Sequence, residues 1–112
     1  MTQTDARRPF SPTQVAVICH DGPESQAARK AAAPQHLRYV ETILDRLALA
    51  GPLFSDDGER MIGSVYVFKT RSVEEARRWL EADPYFMAGF WNSIEYRPFL
   101  PAAGEFVGGT TW

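Results

Sequence analysis

Cysteine and histidine are scarce in this 112-residue sequence, which has one cysteine, Cys19, and two histidines, His20 and His36. A single cysteine excludes an internal disulfide and is typical of a reducing compartment, so we predict a cytoplasmic protein. The same residues provide no zinc-ligand spacing. His20, His36 and Asp83 are the ligand types of a two-His-one-carboxylate iron site, but no motif supports such a site. We therefore expect neither a metal nor a cofactor.

Long apolar runs, basic clusters and nucleotide-binding motifs are missing as well. No window approaches roughly eighteen consecutive apolar residues, so we expect no membrane-spanning helix. The N-terminus has no apolar segment after its arginines, which argues against a secretory signal peptide. The 12 basic and 14 acidic residues are mixed along the chain and give a formal net charge of -2, so nucleic acid is not an expected partner. No phosphate loop, dinucleotide fingerprint or nucleophile elbow is present.

The chain is long enough for one small domain, and strand-like segments recur along it. Each of these segments is a short run rich in β-branched, aromatic or other apolar residues, bounded by turn signals. The predicted strands are residues 13–20, 52–56, 61–69 and 92–99.

Two helix-like segments separate these strands. The first has a helical composition from residue 24 and an apolar stripe that continues to Leu47, and the Gly51–Pro52 pair is predicted to end it. Pro34 either opens this helix at its first turn or kinks one longer helix, and the sequence leaves both alternatives open. The second helix begins at Ser72, which with an acidic residue three positions on has the capping-box arrangement. Asp83 and the following proline end this helix and start a short further one.

The resulting order, β-α-β-β-α-β, predicts a ferredoxin-like α+β domain with an antiparallel sheet and helices on one face. We assign residues 13–99 to this domain, residues 1–12 to a flexible N-terminal tail and residues 100–112 to a C-terminal tail. On the third strand Ile62, Tyr66 and Phe68 point one way, while Val65 and Val67 point the other. The second apolar face therefore needs a cover, for which we favour a homodimer through the open sheet faces. The alternative is the C-terminal tail, folded back with Phe106, Val107 and Trp112.

Several polar positions converge at one end of this topology. The first helix starts and the second helix ends at the same end, so His36, placed in the first turn of the first helix, is predicted to meet Asp83. The start of the third strand, Gly63 and Ser64, and the end of the first, His20–Asp21, lie at that end too.

The convergence of His36 with Asp83 has two interpretations. A carboxylate bound to one ring nitrogen fixes the imidazole tautomer and leaves the other nitrogen free to take a proton, as in general base catalysis. Alternatively, His36 is a satisfied half-buried histidine and Asp83 a helix-end cap before a proline. The residue pattern alone leaves both open.

Other candidates have structural alternatives of the same kind. Arg29 lies two helical turns before His36 and is placed to hold an anionic substrate group, unless it is a solvated arginine beside Lys30. Ser64 is either a substrate hydrogen-bond donor or a structural strand residue, and His20–Asp21 is chiefly a turn. Core or dimer contacts are the favoured interpretation of three aromatic residues: Phe86, Phe90 and Trp91.

Four short motifs in a fixed order carry a family resemblance. They are His-Leu-x-Tyr at 36–39, Gly-Pro-Leu at 51–53, Gly-Ser at 63–64 and Ala-Asp-Pro-Tyr at 82–85. With them, roughly residues 13–99 resemble the YCII-related (YciI-like) family. The resemblance implies a dimeric α+β barrel of ferredoxin-like subunits, akin to muconolactone isomerase, and an active site with a His-Asp pair at His36 and Asp83. Tyr85, in the last motif, becomes a further substrate-binding candidate, as do Gly63 and Ser64.

The sequence departs from the family at one position near the predicted site. Members often have an arginine where this chain has Ala33, although Arg29 matches a second position that is frequently basic. The members with an assigned role resemble cofactor-free lyases or isomerases that act on hydroxylated or chlorinated aromatic breakdown products.

The resemblance and the residue pattern together predict a small cofactor-independent lyase or isomerase for a hydroxylated aromatic, a lactone or a similar metabolite. His36 would act as general base, Asp83 would orient it, and Ser64 or Arg29 would stabilise the oxyanion. The alternatives are a non-catalytic small-molecule-binding or accessory dimer that uses the same pocket, and a dimer whose groove is only structural.

Overall fold

A four-stranded antiparallel sheet forms the centre of the computed structural model, which describes residues 10–112. The predicted N-terminal tail therefore lies largely outside the described residues. The elements run in the order β1 (Gln14–Asp21), α1 (Ser25–Thr42), β2 (Leu47–Phe54), β3 (Met61–Phe68), α2 (Val73–Glu81), α3 (Pro84–Ala88) and β4 (Trp91–Phe99). A short ribbon of β5 (Ala103–Gly104) and β6 (Gly109–Thr110) follows. The sheet order is β2-β3-β1-β4, which confirms the predicted α+β class; the sheet is open and forms no closed barrel.

Alternation along the central strands places the core on the helix-covered face of the sheet. Val15 and Val17 of β1 are fully buried and lie opposite Phe68 and Tyr66 of β3. Leu80 of α2 is fully buried against the same cluster. Complete burial of an aliphatic or aromatic side chain of this size contributes about 1.5–3 kcal/mol, so this face supplies most of the apolar stabilisation.

The first helix differs from its predicted form at its C-terminal end. It is one helix with Pro34 inside it and ends at Thr42, and a short 3-10 turn, Leu44–Arg46, follows. The predicted helix stop at Gly51–Pro52 is wrong, because both residues lie within β2, which begins at Leu47. Pairing with β3 outweighs the helix propensity of this segment, and a proline is tolerated because β2 is an edge strand.

The second helix has the predicted start. Ser72 is its N-cap, and the Ser72 hydroxyl accepts a hydrogen bond from the Glu75 backbone N–H at 3.0 Å. The Glu75 carboxylate does not close the capping box, because it accepts the Thr70 hydroxyl at 2.6 Å instead. No helix among the described residues is long and apolar enough to cross a membrane.

The sheet face opposite the helices includes Val65 and Val67, whose neighbours on the strand face the core. The C-terminal tail reaches only one end of this face, where it bounds a cavity of about 860 Å³ with residues of β2 and β3. Of the three tail residues considered as a cover, half-buried Val107 lines this cavity together with Val67, which is 8% exposed, whereas Phe106 and Trp112 are 88% and 67% exposed.

Candidate functional site

The side chains of His36 and Asp83 form an ion-pair geometry between α1 and the start of α3. The Nδ1 atom of His36 lies 2.8 Å from Oδ1 and 3.0 Å from Oδ2 of Asp83. A carboxylate only accepts hydrogen bonds, so Nδ1 carries the proton and Nε2 of the neutral ring is the acceptor. Within residues 10–112, Nε2 has no hydrogen-bond partner. The contact forms although His36 lies past the middle of α1 and not in its first turn, so that predicted position is wrong.

Asp83 is fully buried and is held by three donors. Besides His36, the Tyr66 hydroxyl donates to Oδ2 at 2.8 Å, and the Tyr85 backbone N–H donates to Oδ1 at 2.8 Å. The last bond makes Asp83 the N-cap of α3, with Pro84 in the first helical turn. The same carboxylate therefore caps α3 and bonds to His36, so the two interpretations that the sequence offered as alternatives do not exclude each other. Three donors offset the desolvation of this buried charge.

Tyr66 is a site residue that the sequence interpretation missed. Burial, and after it the negative charge of Asp83, raises the pKa of the Tyr66 hydroxyl far above its ordinary value. The phenol therefore stays protonated and remains a donor to Asp83. The available signal was its position on β3, because Tyr66 follows Ser64 by two residues and so shares its face of the sheet.

A second buried ion pair joins Arg29 of α1 to Asp21 at the end of β1. The guanidinium Nε and Nη2 atoms donate to Oδ2 and Oδ1 of Asp21 at 2.7 and 2.9 Å, and both side chains are 4% exposed. The interpretation of Arg29 as a solvated residue beside Lys30 is therefore wrong, because α1 continues through Pro34 and holds Arg29 against the sheet. Burial opposes the charge of Arg29, but its hydrogen bond to Asp21 and the charge of Asp21 outweigh burial and raise the Arg29 pKa.

Gly63 and Ser64 of β3 both accept hydrogen bonds from Arg29. Nη2 of Arg29 lies 2.7 Å from the Gly63 carbonyl oxygen and 3.0 Å from Oγ of Ser64. Because Ser64 accepts from Arg29, its own hydroxyl hydrogen remains available to donate. Gly63 is required for strand pairing, since a Cβ there would lie 2.3 Å from the Cys19 carbonyl oxygen. Gly63 therefore contributes to the site through its backbone carbonyl oxygen, which accepts the hydrogen bond from Arg29.

Tyr85 connects the two ion pairs. Its ring stacks on the His36 imidazole, with centroids 3.7 Å apart and planes 7° apart. The guanidinium carbon of Arg29 lies 5.2 Å from the Tyr85 ring centroid and 5.0 Å from that of Phe90, which are cation–π distances. Of the predicted aromatic residues Tyr85 therefore belongs to the site, and Phe90 supports it from the core.

A cavity of about 240 Å³ opens beside these groups. Its lining combines the polar side chains described above with an apolar wall from α1, β2 and β3. The lining residues are Arg29, His36, Leu37, Val40, Ala50, Gly51, Pro52, Met61, Ser64, Tyr66 and Tyr85. The volume lies below the range of roughly 300–1,000 Å³ that is typical for drug-sized ligands, so the cavity suits a single ring.

Some candidates lie outside this arrangement. His20 is exposed and does not line the cavity. In the described part of the chain no three His, Cys, Asp or Glu side chains are grouped to hold a metal ion, and His20 lies apart from the His36–Asp83 contact. Cys19 is fully buried, and burial together with the charge of Asp83 raises its pKa to about 12, so it is not a nucleophile at neutral pH.

Fold and site together define a ferredoxin-like α+β domain with a preformed, single-ring cavity beside a buried His-Asp pair. Residues 13–100 match the YCII-related domain, and the chain belongs to the YCII-related family. Protein YciI of Escherichia coli O6:H1 and that of Shigella flexneri are each 30% identical over 90 residues, which cover 74% of this chain and 92% of theirs. An uncharacterized protein of Haemophilus influenzae is 28% identical over the same shares.

A solved structure has the same fold. It is the 5-chloro-2-hydroxyhydroquinone dehydrochlorinase TftG of Burkholderia phenoliruptrix AC1100, in complex with 2,5-dihydroxybenzoquinone. The TM-score is 0.71 at 23% sequence identity, and the match covers 82% of this chain and 96% of that one.

Proposed function

We propose that this protein is a cofactor-independent lyase or isomerase that acts on a small hydroxylated aromatic, a lactone or a similar ring compound. The observation that carries the proposal is that Nε2 of His36 bonds to none of the described residues, on an imidazole that Asp83 holds at the wall of a single-ring cavity. A nitrogen so placed is suited to general acid–base chemistry.

The proposed reaction begins with proton transfer to His36. Nε2 takes a proton from an acidic O–H or C–H of the substrate, and the electron pair left behind moves into the ring system. That pair either expels a leaving group as an anion, which is the lyase outcome, or forms a double bond at a new position. The imidazolium then releases its proton to solvent or returns it to another atom of the product. Asp83 stabilises the imidazolium, and Arg29 and Ser64 face the developing oxyanion.

The structural neighbour supports a ring substrate. Its name assigns it a hydroxyhydroquinone substrate, and its bound molecule is a dihydroxybenzoquinone. Because the identity is low, this likeness shows the fold, and the chemistry comes to this chain as part of the proposal.

The test is an activity and thermal-shift screen of phenols, catechols, chlorinated hydroquinones and lactones. We expect His36→Ala to lower the rate about 10² to 10⁴-fold, the usual contribution of a positioned general base. Asp83→Asn should also lose activity, because Asn does not fix the tautomer of His36 in the same way. His20→Ala is the matched control, since His20 is exposed and outside the cavity. An unchanged rate in His36→Ala contradicts the proposal.

The same screen distinguishes an enzyme from a non-catalytic small-molecule-binding protein. Ligands that stabilise the wild type but not the His36 and Asp83 variants, with no product formed, would assign the cavity to ligand capture. If both variants lose only folding stability and no ligand binds, the groove is structural.

We also propose that two copies pair through their open sheet faces in the cytoplasm. The support is the apolar face that carries half-buried Val65, which the tail reaches only at the end where Val67 is buried, and the single free cysteine. Analytical ultracentrifugation should give a dimer at micromolar concentration, and Val65→Asp should dissociate it. A monomeric wild type contradicts this arrangement.

A further inference from the structure

Arg29 lines the cavity, but the carboxylate of Asp21 already neutralises its positive charge. Asp21 takes both Nε and Nη2 of the guanidinium, at 2.7 and 2.9 Å, in the side-on geometry that gives the strongest arginine–carboxylate pairs. Both side chains are almost completely buried, so water screens their attraction little. The carboxylate position of a typical arginine anion site is therefore occupied by the protein itself.

The remaining donors of Arg29 are few. Nη2 also bonds to the Gly63 carbonyl and to Ser64, and the guanidinium has a further hydrogen-bonding interaction with the side chain of Tyr85. The contact of Nη1 is with Sδ of Met61 at 3.8 Å, which is a weak interaction. Arg29 thus offers the cavity one N–H donor group without a free positive charge, and Ser64 adds a hydroxyl donor.

The other side of the cavity has no spare cation either. His36 is bonded to Asp83, and every other residue that lines the cavity is uncharged. A carboxylate that entered this cavity would lose its hydration and find no unpaired partner, which is energetically costly. A hydroxyl or carbonyl oxygen needs only the donors that Arg29 and Ser64 still have.

We propose that Asp21 is a specificity-determining residue that makes the cavity select uncharged ring compounds, such as phenols, quinones and lactones, over ring acids of the same shape. This inference rests on the proposed function in placing the substrate in the cavity. It replaces the expectation that Arg29 holds an anionic substrate group.

The experiment compares two ligands of nearly the same shape, of which one is neutral and the other is an anion. Calorimetry under oxygen-free conditions measures the affinity of 3,4-dihydroxybenzamide and of 3,4-dihydroxybenzoate for three proteins. They are the wild type, Asp21→Asn and Asp56→Asn. We expect the wild type to bind the amide at least about tenfold more tightly, which corresponds to about 1.4 kcal/mol. Asp21→Asn frees the guanidinium and should abolish or reverse this ratio. Asp56→Asn is the same substitution at an exposed turn residue and should leave the ratio unchanged.

Three results overturn the inference: benzoate that binds the wild type as tightly as the amide, binding of neither ligand, or an unchanged ratio in a folded Asp21→Asn. If Asp21→Asn does not fold, the wild-type ratio decides. The proposed function fails separately. If the amide is preferred but no ring compound is turned over, the proposed function fails and the selectivity inference holds. If a ring acid is turned over, the selectivity inference fails and the proposed function holds.

Discussion

The imidazole of His36 lies flat against the phenol ring of Tyr85, with ring centroids 3.7 Å apart. Asp83 organises this contact from both sides, because it accepts Nδ1–H of His36 and also the backbone N–H of Tyr85. One carboxylate therefore fixes the edge of the imidazole and positions the residue that covers its face. A ring restrained in this way keeps Nε2 in a defined orientation, which is the preorganisation that the proposed acid–base role requires.

We predict that Tyr85→Leu lowers kcat/KM about tenfold, because stacked aromatic pairs contribute about 0.5–1.5 kcal/mol beyond area burial. Tyr85→Phe keeps the stack and should retain most of the activity. The measurement is steady-state kinetics on whichever ring compound the screen identifies, with circular dichroism to verify the fold. Equal activity of the Leu and Phe variants would show that the stack does not orient His36.

Tyr66→Phe removes one of the three donors to buried Asp83. We expect a loss of about 1.5–3 kcal/mol in the free energy of unfolding, since hydrogen bonds to charged groups lie in this range. Tyr39→Phe is the control, because the Tyr39 hydroxyl donates to the neutral Trp79 carbonyl and its loss should cost about 1 kcal/mol. Urea denaturation measures both, and a smaller loss in Tyr66→Phe than in Tyr39→Phe contradicts the role of the hydroxyl.

The order of the elements follows from the sequence because β1, β3 and β4 each have a clear apolar or alternating pattern. The boundary between the first helix and β2 was not predictable in the same way. The stretch from Leu47 to Gly51 has a helical composition, and it becomes a strand because β3 pairs with every residue from Leu47 to Phe54 except Ala48, where the register shifts. Tertiary pairing of this kind does not appear in local propensity.

The site was predictable where topology alone brings residues together. His36 and Asp83 meet even though His36 lies past the middle of α1 and not in its first turn. The sequence context of Asp21 is that of a turn residue, and its pairing with Arg29 depends on α1 running unbroken through Pro34. The sequence leaves that continuity open, so neither the burial of Arg29 nor its partner could be derived from it.

Gly63 gives a sharp test of the close approach between β1 and β3. We predict that Gly63→Ala costs about 3 kcal/mol or more of unfolding free energy, because the new Cβ would lie 2.3 Å from the Cys19 carbonyl oxygen and the strands must move. Gly51→Ala is the matched control on β2, where a Cβ meets nothing within 4 Å, and should change stability by less than about 1 kcal/mol. Chemical denaturation of both variants measures the difference, and equal stabilities would contradict the close approach.

Alkaline pH should destabilise the fold through Cys19. Burial and the charge of Asp83 raise the Cys19 pKa from 9.0 to about 12, so between these values the unfolded chain releases a proton that the folded chain retains. Stability is therefore fully present below pH 9 and falls as the pH rises, by at most about 1.4 kcal/mol per pH unit for one group. Cys19→Ala removes this contribution, and its unfolding free energy should depend less steeply on pH between 9 and 10, below the ordinary tyrosine range. Urea denaturation at intervals of half a pH unit measures both slopes, and parallel curves for wild type and variant would show that the thiol is not the titrating group.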